Sequence, residues 1–395
     1  MKTAPRIGTL HATRMPTDEA TSGFHLHWPV DVRFGRGALG ELPTAMATRP
    51  ERRILVLTSP SFAARSDLLD TIAGRLRDRE TLVFDLVGSH PNIAQIQAAI
   101  DFARTRQVEA VIGLGGGSVL DTAKAVALLT RAGCDLRSYL LEEPDPAPAP
   151  LFTILIPTTA GSGSEVTRWA TIWDTDNNRK LSLVLPSLQP HVAIVDPELT
   201  LTLPPRQTAI SGADALAHAL EAYWSRNVNP ASEALAVAAV HRIIEHLIGA
   251  YQDPLDLEHR TEMLLGSLLA GLAFSQTETA AAHAISYPLT SHFGIPHGQA
   301  TGISLPALLA FNAEAAPERM QRLCRSLDAT SVPEAQDRLR GLLERVGLKT
   351  RLRDLGVPLH DVPMLTAAAL TSNRLPNNVR TIGPVEMERL LTELW

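Results

Sequence analysis

Short apolar runs alternating with helix-patterned stretches constrain this fold more than any other feature. Residues 53–58, 81–85 and 110–114 are compact runs of strand-forming residues, and 151–156 is a fourth. Helical patterns near 62–78, 93–107 and 118–131 separate them. Such alternation predicts a parallel sheet with helices on both faces. Residues 24–34 alternate weakly, which predicts an edge hairpin, and the proline-rich stretch 144–150 reads as a loop. After Leu203-Pro204-Pro205 the β-type runs stop and long Ala/Leu-rich segments follow. Leu339, Leu342, Leu343 and Val346 mark one stripe of an amphipathic helix. The expected organisation is a flexible extension over 1–22, an α/β domain over 23–203 and a helical domain over 204–395.

Composition excludes several classes. The formal charge of −6, with no basic tract, argues against a nucleic-acid surface. The apolar run at 263–274 is too short to span a bilayer, and residues 1–22 have no apolar core of a secretory signal. Two cysteines, Cys134 and Cys324, cannot make a disulfide framework and fit a reducing cytoplasm.

The chemistry concentrates in three places. Gly113-Leu114-Gly115-Gly116-Gly117-Ser118 follows the third strand and opens a helix, where glycines and free N–H groups suit a phosphate. Ser118 stands where the G-x-G-x-x-G fingerprint has its last glycine, so a simple tight turn is the competing reading. The next strand ends in Pro157-Thr158-Thr159-Ala160-Gly161-Ser162-Gly163-Ser164-Glu165, a second polar loop at the edge where open α/β sheets bind ligands. Asp214 and His218 are one helical turn apart, and with His283 and His297 they offer an oxygen and three nitrogens to one metal ion. His292, between the last two, reads as a supporting or surface residue. Arg168, Arg374 and Arg380 suit a phosphate or carboxylate, against a surface role for each.

Taken jointly, these motifs resemble the iron-dependent (group III) alcohol dehydrogenases over about residues 30 to 395. Gly115-Gly116-Gly117-Ser118 with Asp121, Ala123 and Lys124 is similar to their glycine signature, and Pro157-Thr158-Thr159 with Gly161, Ser164, Glu165 and Thr167 to their second nucleotide loop. Gly212, Asp214, Ala215, His218, Ala219 and Glu221 resemble their helical metal motif, and His283 and Pro296-His297-Gly298 their later histidines. The resemblance implies a Rossmann-like α/β N-terminal domain, an all-α C-terminal domain and an active site in the cleft between them. It implies Fe²⁺ held by Asp214, His218, His283 and His297, and the donor set also suits Zn²⁺. It implies NADH or NADPH bound by Ser59, Gly115, Gly116, Gly117, Ser118, Asp121, Lys124, Thr158, Thr159 and Ser162, and a homodimer.

Two departures carry expectations. Tyr287 stands where the family commonly has a further histidine for proton relay, and is expected to assist catalysis. Thr58-Ser59-Pro60-Ser61 lacks the aspartate of NAD-preferring members, which opens the site to NADPH, with Arg65 a candidate partner for its 2′-phosphate. Residues 281–290 and 292–298 resemble the phosphonoacetaldehyde reductase branch, which makes 2-hydroxyethylphosphonate. The expected substrate is therefore a small, anionic aldehyde. The alternatives are a general short-chain alcohol dehydrogenase, a dehydroquinate-synthase-like lyase, and a non-catalytic metal-binding scaffold.

Overall fold

The computed structural model describes residues 23–64, 67–88, 90–142, 149–177 and 179–395. The 1–22 extension, Arg65 and most of the 144–150 loop lie outside them. The described residues form eight strands: β1 (Asp31–Phe34), β2 (Arg53–Leu57), β3 (Glu80–Phe84), β4 (Ala110–Gly115), β5 (Phe152–Pro157), β6 (Trp169–Asp174), β7 (Arg179–Val184) and β8 (Val192–Val195). Six of them form one sheet in the order β1-β8-β5-β4-β2-β3, with every pairing parallel. β6 and β7 form a separate antiparallel hairpin.

Both faces of the sheet are covered, so its central strands read as unbroken apolar runs rather than alternating ones. Ile54, Val56, Ile112 and Ile154 pack on one face with Leu42, Met46, Ile72 and Leu76. Leu55, Leu57, Val111 and Leu155 pack on the other with Ile96, Ile100, Val119 and Leu120. Two local expectations are corrected. Residues 24–34 make no hairpin: only 31–34 are strand, and they pair in parallel with β8. The preceding residues lie against the Leu257–Thr277 helix instead, where Trp28 Nε1 donates to Leu272 O and Gln276 Nε2 donates to His27 O. The helix near 62–78 is two pieces, Pro60–Ala63 and Leu68–Arg75.

No strand follows Val195 among the described residues. Three long helices, Pro205–Trp224, Pro230–Gln252 and Leu257–Thr277, pack on one another. Asn229 and Asp256 cap the second and third by accepting backbone N–H groups. Gly212 allows close approach, since a Cβ there would lie 2.3 Å from Leu247 Cδ1. The Pro230–Gln252 helix is long and apolar enough to cross a membrane. However, Ala236, Val240, Ile243 and Leu247 are buried, and it packs against the other two helices. Gly163, in the left-handed region at φ +59, sits so close to Gly271 that a Cβ would lie 2.6 Å from its Cα. That contact seats the second polar loop directly on the helical part.

Candidate active site

Helix geometry assembles the metal candidates. Asp214, His218 and Glu221 lie along one face of Pro205–Trp224, at successive turns. His283 is in the Ala281–Phe293 helix, and His297 begins the His297–Gly302 helix. A donor atom from each of Asp214, His283 and His297 lies within 4.8 Å of the others. His218 joins them: its Nε2 is 3.1 Å from His283 Nε2. Gly298 permits this convergence, because a Cβ there would be 1.9 Å from the Ile210 carbonyl oxygen.

The hydrogen bonds fix which nitrogens are bare. His218 Nδ1 contacts the Gly161 carbonyl at 3.2 Å, which can only accept, so Nδ1 carries the proton. Glu221 is fully buried; its Oε1 accepts from Ala282 N and His283 N, and its Oε2 lies 2.5 Å from His283 Nδ1. That places the His283 proton on Nδ1 too. Two unprotonated Nε2 atoms then face each other, an arrangement that repels unless a cation lies against both. Burial holds His218 at about 4 and His283 at about 3, and His297 well below its ordinary value, so all three are the neutral imidazoles that a metal requires. Burial pushes Glu221 up to about 7, and backbone N–H groups oppose it. A carboxylate behind a ligating imidazole is the usual support of such a site. These residues fit a transition metal.

The candidate metal ligands line a cavity of about 310 Å³ that runs to the carboxyl ends of β4 and β5. There the two polar loops meet. Thr158 N donates to Gly115 O. A Cβ on Gly117 would lie 2.8 Å from Ser162, one on Gly116 3.3 Å from Thr159, and one on Gly115 2.7 Å from Val119. Gly117, Ser118, Asp121, Thr159 and Ser162 line the cavity, the first two at the start of the Gly117–Leu129 helix. Asp121 accepts from Ser164 Oγ and from Thr171 N, which ties that helix to the second loop and to β6.

Two cations line the same cavity. Arg374, 8% exposed, donates from Nη1 to Glu278 Oε2 at 2.6 Å. Arg168 donates to the other oxygen of Glu278 at 3.3 Å, and both guanidiniums lie over the Trp169 ring. Glu278 has φ 60 and ψ 172, a region nearly reserved for glycine. Lys180, on β7, places its Nζ 4.2 Å from the centroid of the Tyr287 ring. Tyr287 stacks on His297 at 6.1 Å and meets His283 edge-on at 6.4 Å.

This chain is similar to known proteins along most of its length. Residues 29–197 match the family described as iron-containing alcohol dehydrogenase, and residues 208–395 the C-terminal part of the Fe-containing alcohol dehydrogenase family. A long-chain-alcohol dehydrogenase of Geobacillus thermodenitrificans is 36% identical over 365 residues, which are 88% of this chain and 90% of that one. The chain belongs to the iron-containing alcohol dehydrogenase family. The lactaldehyde reductase of Escherichia coli is 31% identical, over 92% of this chain and 97% of its own. The structure of sulfoacetaldehyde reductase from Bifidobacterium kashiwanohense in complex with NAD⁺ superposes with a TM-score of 0.88. It is 30% identical and covers 95% of this chain and 99% of its own.

Within this alcohol dehydrogenase fold, several candidates sit elsewhere than expected. Lys124 does not face the cavity. Its ammonium is buried and donates to Trp169 O at 2.8 Å and Thr167 Oγ1 at 3.2 Å, so it bolts the glycine-loop helix to the hairpin. Burial lowers it to about 8, against the pull of Asp121 and Glu165. Arg380 is also outside the cavity, paired with Glu314 and the Phe311 carbonyl and stacked on the Phe311 ring. Arg168 reaches Glu278 but not the cavity wall. Thr158 is buried beneath the loop. Ser59 follows β2 and caps the Pro60–Ala63 helix, half-buried, outside the cavity lining. His292 is exposed. Lys180 and Glu278 were missed by sequence reasoning. The 169–184 segment did carry a signal: alternating apolar residues around Asp174-Thr175-Asp176-Asn177, a hairpin pattern that would have exposed Lys180.

Proposed function

We propose that this enzyme reduces a short aldehyde bearing an anionic group, with phosphonoacetaldehyde as the substrate and 2-hydroxyethylphosphonate as the product. The observation that carries this reading is Arg374, a nearly buried cation on the wall of the cavity that the candidate metal ligands line. Its Nη1 is taken by Glu278, while Nε and Nη2 have no acceptor among the described residues. Half of a guanidinium fork is therefore left for a ligand, and planar forks match phosphonate oxygens. The sulfoacetaldehyde reductase supports the reading, since its named substrate is an aldehyde carrying an anion. The resemblance at 281–290 and 292–298 favours phosphonate over sulfonate.

When bound, a metal held by Asp214, His218, His283 and His297 supplies Lewis-acid polarisation of the carbonyl, and a reduced nicotinamide supplies the hydride. Fe²⁺ is the metal we assign, with Zn²⁺ the rival. Gly115, Gly116, Gly117, Ser118, Thr159 and Ser162 shape the nucleotide cradle. Ser59 offers no carboxylate to a 2′-phosphate, so NADPH serves at least as well as NADH. Tyr287, stacked beside His297, orients the substrate and assists proton delivery to the product oxygen. A homodimer in the cytoplasm completes the reading; both cysteines are free.

The test measures kcat/KM of metal-loaded protein on phosphonoacetaldehyde and on propanal, with NADPH and NADH oxidation followed separately. Phosphonoacetaldehyde should be preferred, and Arg374→Gln should weaken that preference by a charged hydrogen bond, roughly 1.5–3 kcal/mol. Equal efficiency on both aldehydes in the wild type would overturn the anionic substrate and favour a general short-chain alcohol dehydrogenase.

A further inference from the structure

We propose that Lys180 is a specificity-determining residue: its ammonium and the Arg374 guanidinium, on two separate elements lining one cavity, together grip the anionic end of the substrate. The proposal rests on the anionic-aldehyde reading above and adds a residue to it.

Strand alternation explains how Lys180 reaches the site. On the β6–β7 hairpin, Ala170, Ile172 and Leu183 are buried in the core beneath the sheet, with Leu181 packed against it. Thr171, Trp173, Lys180 and Ser182 have the opposite parity and line the cavity. Trp173 and Lys180 are cross-strand partners. The hairpin thus lays one polar face over the cleft, and that face carries a single cation among the described residues.

Lys180 differs from Arg374, its companion on the cavity wall, and from the cations behind that wall. Lys124 has Asp121, and Arg168 and Arg374 share Glu278. No carboxylate among the described residues pairs with Lys180, although it is half-buried. Its ammonium lies over the Tyr287 face. A cation–π contact turns part of the ammonium to the ring and leaves its remaining N–H donors available to an acceptor. Tyr287 in turn stacks on His297 and meets His283 edge-on, and Arg374 lines the same cavity, so both cations lie near the metal end. A tetrahedral anion with three oxygens can accept from a fork on one side and a point charge on the other. A neutral aldehyde would leave the Lys180 ammonium in a partly dry cavity without a counter-charge and half of the Arg374 fork unused, which is disfavoured. The chain as a whole has a charge of −6, so long-range steering cannot replace this local pair.

The experiment compares wild type, Lys180→Gln and Lys180→Arg, each metal-loaded and checked for native circular dichroism. The readout is the ratio of kcat/KM on phosphonoacetaldehyde to that on propanal. Lys180→Gln should lower the ratio roughly 10- to 100-fold, through KM more than kcat, as expected for one lost charged hydrogen bond. Lys180→Arg should recover most of it. A Lys180→Gln ratio equal to wild type, or a loss the arginine does not rescue, overturns the proposal and leaves the anionic reading intact. If wild type itself shows no preference, that reading fails, and calorimetric binding of methylphosphonate decides for Lys180. Binding lost in Lys180→Gln would support the anion contact, and no binding by wild type would overturn it.

Discussion

Replacing Glu221 with glutamine tests how this chain keeps His283 ready for a metal. The carboxylate has two separate duties: Oε1 accepts the backbone N–H groups of Ala282 and His283, and Oε2 faces His283 Nδ1 at 2.5 Å. Glutamine has one oxygen for the two backbone donors, so its NH₂ group must face Nδ1. A donor there requires Nδ1 to accept, which moves the imidazole proton to Nε2, the atom that must be bare. The other amide orientation sets NH₂ against two buried N–H groups, at about 1–3 kcal/mol for each unmet donor. Either way the site loses, and supporting residues of this kind typically contribute 10- to 100-fold in metal affinity, about 1.4–2.7 kcal/mol. The assay is dialysis of wild type and Glu221→Gln against graded chelator, followed by metal per chain from mass spectrometry, with circular dichroism confirming the fold. Glu221→Gln retaining metal as tightly as wild type would refute the tautomer argument.

Further outcomes follow from the same geometry. Gly298→Ala places a methyl 1.9 Å from the Ile210 carbonyl oxygen, so the His297 turn must move off the Asp214 helix; melting temperature and metal content should both fall, and normal metal content would contradict this. His218 and His283 sit at about 4 and about 3 against an ordinary 6.5, mainly because they are buried, so unfolding takes up protons between those values. Glu221, pushed up to about 7, works the other way in the same window, so the readout is the difference: metal-free His218→Gln should lose less stability than metal-free wild type as pH falls from 6.5 towards 4 in thermal melts, and an identical pH dependence would count against it. Ser59→Asp keeps the helix cap, which aspartate serves equally well, but adds a carboxylate that repels a 2′-phosphate. It should shift kcat/KM towards NADH, and a wild type that already strongly prefers NADH would remove the basis for this. Tyr287→Phe should lower kcat without abolishing it; near-complete loss with metal retained would make the hydroxyl essential.

The sheet was legible because its strands are buried on both faces: β2, β4 and β5 are apolar runs that polar-alternating patterns cannot imitate. β8 was not, since four residues, Val192–Val195, give too short a signal beside the surrounding loops. The residues around 24–34 misled because weak alternation marks an edge strand without naming its partner, and β1 found its partner some 160 positions away. At the site, i, i+4 spacing brought Asp214 and His218 together in advance. Lys124 and Arg380 could not be placed from sequence. A basic residue near a loop has the same local pattern whether it faces a ligand or, like Lys124, reaches inward to a carbonyl. Glu278 was hidden for another reason: its backbone conformation is imposed by tertiary contacts, including Asn377 donating to Thr279 O and Ser225 donating to Thr277 O, and nothing local announces it.

The insertion of β8 between β1 and β5 has a consequence for how the chain matures on the ribosome. Among the described residues β1 pairs with no strand except β8, so the first of the described strands to emerge waits for the last before it can dock. Entropy is a small obstacle, because closing a long loop grows only logarithmically more costly. The obstacle is time, since a non-local pairing of this kind is slow to find. Until it forms, β5 presents an open edge on which another nascent chain could template. The segment that ends the wait then runs through Pro197–Thr200 into Pro205–Trp224, the helix carrying Asp214 and His218. Sealing the sheet and erecting the first wall of the metal site thus become consecutive events in the birth of one molecule.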